Sequence, residues 1–209
     1  MLTSIMNSST IIKRFTFFGL FIGLCLQTAC THILPYKVGS SALPVTPSEK
    51  RISLEAALVI DEALLNSKFQ FNWVGDTYIM TFGPMLSAYS RDVTQHAFRN
   101  VVVHSTVQSA ANTADLILCP KFMKFEYSGN DKHLMVLEWT AKDKSGKNIV
   151  WFSTVKGQAD SKGQSRADLR KRQQILVDDL SEKTLKAFLE SPELKRIAAQ
   201  LKESNPPLR

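Results

Sequence analysis

The sequence predicts an α+β domain, a mainly antiparallel sheet with two or three helices packed on one face. Three observations carry this. Strand-like runs over Asp115–Tyr127, His133–Lys142 and Ile149–Gly157 are joined by short polar segments containing Gly129 and Gly146, the spacing of an antiparallel meander. A helical period covers the stretch after Gly83-Pro84, and a second runs from about Ser165 to Leu189. Runs of strands that alternate with helices in this way suit a layered domain with one core.

The chain opens on something other than a fold element. Lys13-Arg14 precede an apolar run from Phe15 to Leu26, and the small residues Thr28-Ala29 lead to Cys30. About a dozen apolar residues are too few to cross a hydrocarbon core of roughly 30 Å, but they suit the central region of an export signal. Acidic residues are absent from the segment, so its charge asymmetry is that of a translocated N-terminus. An ordinary cleaved signal with an incidental cysteine, or an uncleaved anchor, would read similarly. Leu26-Gln27-Thr28-Ala29-Cys30 resembles a lipobox, although Gln27 stands where an aliphatic residue is usual. The resemblance implies cleavage before Cys30, diacylation of that cysteine and a membrane partner reached through that anchor. Thr31 in place of an aspartate implies the outer membrane, facing the periplasm.

Residues 1–29 are therefore expected to be the signal peptide and residues 30–50 a lipidated N-terminus and flexible tether. Pro35, Pro44 and Pro47, interleaved with Gly39, Ser40, Ser41 and Ser48, show no sustained period. Residues 51–209 are expected to form a single α+β domain. Cys25 would leave with the signal and Cys30 would be acylated. Cys119 would then stand alone within the apolar run Leu116–Cys119, where a buried small hydrophobe is the expectation.

Within the domain, Ile52–Ile60 and Phe69–Phe82 read as two or three strands. Leu54–Leu58 suits a helix equally well, since alanine, leucine and glutamate favour one. Pro84 is well placed for a first helical turn, and Leu86, Tyr89, Val93 and Ala97 then recur on one face. Phe98 and Val101–Val103 follow as a strand. In the middle strand of the meander, Met135, Leu137, Trp139 and Ala141 alternate with Glu138, Thr140 and Lys142, the mark of a sheet buried on one side. Trp139 and Trp151 are expected in the core. Leu169, Leu176, Leu180 and Ala187, widened by Val177, Thr184 and Phe188, give the long helix its stripe. Ser191-Pro192-Glu193 caps a further helix carrying Leu194, Ile197, Ala198 and Leu201.

Candidate chemistry is sparse. G-x-S-x-G, H-E-x-x-H, a phosphate-cradling glycine loop and a C-x-x-C pair are all absent from the sequence. His96 and His104 are too far apart for an i, i+4 metal pair, and His133, beside a hairpin turn, is expected to be exposed. Asp76 and Asp115 read as turn or strand-edge residues. No catalytic residue, metal or cofactor is expected. The formal charge is +7, and loss of Lys13 and Arg14 with the signal leaves +5. Lys162, Arg166, Arg170, Lys171 and Arg172 crowd the start of the long helix. They read either as a solvated helix face or as a surface for anionic lipid, glycolipid or an acidic partner. No recognised nucleic-acid module accompanies the charge.

Asp115-Leu116-Ile117-Leu118, the strand through Leu137-Glu138-Trp139-Thr140, the Asp143–Gly146 turn and a closing helix through Leu180-Ser181 together resemble auxiliary lipoproteins of ABC-type envelope transport systems. More distantly, the chain is similar to the small lipopolysaccharide-assembly lipoprotein. The resemblance spans roughly residues 83–189 and implies a compact sheet with helices on one side. It also implies a non-catalytic role, docked to an envelope protein complex.

Overall fold

The computed structural model describes residues 30–36, 43–73, 75–128, 132–160 and 166–204. Eight strands run in the order β1 Thr31–Pro35, β2 Ile52–Val59, β3 Lys68–Trp73, β4 Asp76–Thr81, β5 Phe98–His104, β6 Leu116–Ser128, β7 Lys132–Asp143 and β8 Ile149–Asp160. Five helices accompany them: α1 Glu62–Leu65, α2 Gly83–Ala97, α3 Val107–Ala110, α4 Arg166–Glu190 and α5 Pro192–Ser204. The α+β class is as expected. Two compact units divide the described residues, one comprising those up to Ile33 together with Gln70–Ile79, the other Leu34–Phe69 and the chain from Met80 onward.

The larger unit is built on a five-stranded sheet ordered β5-β2-β6-β7-β8. The meander β6-β7-β8 is antiparallel: Leu116 of β6 lies opposite Asp143 of β7, Lys132 of β7 lies opposite Asp160 of β8, and each ladder carries one register shift, at Phe122/Lys124 and at Ala141/Lys142. The interior strand β2, second from the edge, instead runs parallel to both of its neighbours, β5 and β6. Parallel neighbours need a crossover rather than a tight turn, and the long path between β2 and β5 supplies one. Ala56, Ala57, Leu58 and Val59 are all at most 4% exposed, so β2 is covered on both faces over its second half, while Glu55 before them is exposed. The helical alternative for Leu54–Leu58 rested on the propensity of its alanine, leucine and glutamate, which tertiary pairing overrides here.

On one face of the sheet, His133, Met135, Leu137, Trp139 and Ala141 of β7 are buried in strict alternation. Trp139 lies 6.3 Å from the Tyr89 ring of α2 and 5.1 Å from the Phe188 ring of α4, which sets both long helices on this side. The two helices are joined by the Tyr89 and Thr184 hydroxyls, 2.5 Å apart and fully buried. Burial pushes the Tyr89 phenol well above its ordinary range. The helix α2 buries Leu86, Tyr89, Val93 and Ala97 as its period predicts, and α4 buries Leu176, Val177, Leu180, Thr184 and Phe188. Ser191 caps α5, its Oγ accepting from the Leu194 N–H at 3.1 Å.

Part of the opposite face is covered by the four-residue helix α3, which the sequence did not suggest. Ala110 and Val107 pack there on Ala57, Val59 and Ile117, with Ala114 and Cys119 beside them. A second correction concerns His133. It is fully buried, with the rings of Phe125 and Tyr127 at 5.6 and 5.3 Å, because the strand alternation that buries Met135 also turns His133 inward.

Candidate functional site

Cys30 is exposed, and its backbone is held at the head of β1. The Cys30 N–H donates to Asp76 Oδ1 at 3.1 Å, and its carbonyl accepts from the Thr77 N–H at 3.0 Å. His32 Nε2 lies 3.1 Å from Asp76 Oδ2, so the one carboxylate meets both the first and the third residue of this segment. Strand β1 belongs to a three-stranded sheet ordered β1-β4-β3. The segment expected to be a flexible tether from residue 30 thus begins as an ordered strand; residues 37–42 lie outside the described chain.

The hairpin that supplies Asp76 is locally encoded. Gly75 takes φ +85°, a left-handed turn conformation, and Thr77 Oγ1 donates across the strands to Asn72 Oδ1 at 3.1 Å. Alternation puts Asp76 and Tyr78 on one face of β4. The His32 ring stacks on Tyr78 at 4.8 Å, and Tyr78 stacks on Phe71 at 5.3 Å, giving a row of three rings across three strands. Ile33, on the other face of β1, is 68% exposed.

Of the basic cluster, the three side chains that are described do not share one exposed face. Arg170 and Lys171 are exposed, but Arg172 is 4% exposed and faces the core with Leu176 and Leu180, one and two helical turns on. Arg166 lies in the first turn of α4, and Lys162 falls outside the described residues. An open cleft of about 740 Å³ that the sequence did not signal lies where α2 runs into β5. Arg51, Glu55, His96, Arg99, Asn100 and Thr113 are among its lining. His96 holds its Nδ1 2.9 Å from the Asp92 carbonyl, and Asn100 Nδ2 donates to Glu55 Oε1 at 3.4 Å.

Cys119 is half-buried, and burial raises its thiol above the ordinary range, which disfavours the thiolate a nucleophile needs. Among the described residues no group of three or more His, Cys, Asp or Glu is placed to hold a metal, and no helix is long and apolar enough to cross a membrane.

No family model and no curated protein matches the sequence. A solved structure does. The crystal structure of a Xanthomonas campestris protein of family DUF330 superposes with a TM-score of 0.52 at 14% identity, over 83% of this chain and 99% of that one. The two chains share a fold. A looser likeness, TM-score 0.41 at 15% identity, links 74% of the chain to 99% of PelC from Paraburkholderia phytofirmans, which was solved as a dodecamer. With the DUF330 protein, the chain shares the α+β arrangement that its own sequence predicts.

Proposed function

We propose that this chain is a non-catalytic envelope lipoprotein, exported by residues 1–29 and acylated at Cys30. It stands on the periplasmic side of the outer membrane as an accessory or assembly subunit of a transport or biogenesis complex. The observation that carries this reading is Cys30 itself. It directly follows the basic and apolar export segment, and its exposure leaves the thiol accessible to an acyl-transfer enzyme. The resemblance to ABC-type transport auxiliary lipoproteins supports the accessory role. The alternative, direct binding of lipid or glycolipid through the basic helix, loses support from the burial of Arg172 and rests on Arg170 and Lys171 among the described side chains.

The test is affinity capture of the native protein from detergent-solubilised envelopes, with mass analysis of the N-terminal peptide and a Cys30→Ala control. Acyl mass on Cys30 and a stoichiometric set of envelope proteins, lost in the control, are the expected outcome. An unmodified Cys30 would remove the anchor, and retention of lipid alone would shift the reading to direct ligand binding.

A further inference from the structure

We propose that the β3–β4 hairpin, joined by the start of β1, is the surface with which this protein lies on the phospholipid bilayer. Asp76 is the residue that clamps the acylated terminus onto it. The inference rests on the acylation of Cys30 proposed above and adds to it where the anchor leads.

The decisive geometry is at the cleavage point. Removal of residues 1–29 turns the Cys30 nitrogen into a terminal amine, or into an amide N–H once it is acylated, and either form donates to the Asp76 carboxylate that already lies 3.1 Å away. With the Thr77 N–H on its carbonyl at 3.0 Å, Cys30 is held at both ends of its own backbone. An unstructured stretch of about 20 residues would separate the lipid from the fold by about 25 Å on average. Here that separation collapses at the hairpin to the length of one cysteine side chain, and whatever neighbours Cys30 must lie at the headgroups.

What neighbours Cys30 suits that place. The row His32, Tyr78 and Phe71 spans three strands, which at about 4.8 Å per strand covers some 10 Å beside the anchor. Ile33 is exposed on the other side of the same strand. Aromatic rings with a polar edge are the side chains that settle at a membrane–water interface. Among the described residues of the smaller unit, which leaves out Lys68 at the far end of β3, Asp76 is the single carboxylate, and none is lysine or arginine. Its charge is met by the Cys30 N–H and by His32. Contact with lipid is therefore apolar and interfacial rather than ionic, and salt will not dissociate it.

The test uses the full processed protein, with Cys119→Ser and a single added cysteine at the exposed Gln70 of β3, Gln70→Cys, carrying an environment-sensitive fluorophore. It is reconstituted in phosphatidylethanolamine–phosphatidylglycerol vesicles containing a headgroup-spin-labelled lipid. We expect quenching at position 70 at least twofold stronger than in the same protein carrying Asp76→Ala or Tyr78→Ser. It should be retained in Asp76→Asn, which keeps the acceptor oxygen, and stay unchanged between 0.05 and 0.5 M salt. Equal quenching in the parent and in both weakened variants, or loss in salt, would overturn the docking surface while Cys30 still shows its acyl mass. Absence of that mass would overturn the anchor and the docking surface together.

Discussion

Asp143 shows how much one surface side chain can organise. Its Oδ1 accepts from Ser145 Oγ at 2.6 Å and from the Lys147 N–H at 3.3 Å, and its Oδ2 accepts from Asn148 Nδ2 at 2.6 Å, so the β7–β8 turn closes around one carboxylate. The Ser145 hydroxyl, then the Asn148 amide, hold its pKa at about 2, below the ordinary 3.8. A carboxyl whose folded pKa is depressed contributes stability that is complete above the unfolded value and is lost as pH falls through the folded one. Asp143→Ala should therefore lower the urea midpoint at pH 7, and the gap from the parent should narrow between pH 4 and pH 2. A gap that stays constant over that range would show that the turn does not depend on the charge. This turn was legible because all its partners lie within five residues. Asp76 was not: its partner Cys30 is 46 residues away, and no local pattern reports such a pair. Arg172 was misread for another reason. A run of basic residues suggests a solvated face, but Arg172 stands four and eight residues before Leu176 and Leu180, and helical phase outranks composition.

At the scale of elements, one tight fit lies between β8 and α4. A Cβ at Gly157 would come 2.8 Å from Leu180 Cβ and 3.1 Å from the Leu176 carbonyl oxygen, so the helix rests on the strand where a side chain is missing. Gly157→Ala is expected to cost about 1–3 kcal/mol, the usual range for overpacking, as read from urea unfolding. A neutral result would mean that α4 shifts aside freely. The helix also covers the sheet edge. Asp179 Oδ2 accepts from the Gln158 N–H at 2.7 Å and Lys183 Nζ donates to the Lys156 carbonyl at 3.2 Å, occupying backbone groups that an edge strand otherwise offers to other chains. The meander and the two long helices were legible because alternation, turn chemistry and helical period are local signals. The parallel pairing of β2 was not, because pairing partners are chosen by tertiary packing. Strand β1 was hidden by the prolines and serines that follow it, which outweighed its own short apolar run.

For the larger unit as a whole, cohesion converges on Phe188. Its ring meets Phe98 of β5 at 5.4 Å, Trp139 of β7 at 5.1 Å and Trp151 of β8 at 5.2 Å, so one side chain of α4 ties three strands of the five-stranded sheet to the helical layer. Phe188, Trp139 and Phe98 are fully buried, and Trp151 is nearly so. Truncation here removes the area of a large aromatic ring and leaves a cavity between rigid neighbours that have little room to collapse. Phe188→Ala should therefore cost about 3–5 kcal/mol, the range for a buried aromatic. Domains of this size are stable by only about 5–15 kcal/mol, so the variant should fold marginally. The check has two parts. Urea unfolding should show the midpoint shift, and the near-ultraviolet circular dichroism of Trp139 and Trp151 should weaken while the far-ultraviolet spectrum persists below the transition. A loss under 1 kcal/mol, with the tryptophan signal intact, would show that the sheet and helices are held by independent contacts rather than through this one ring.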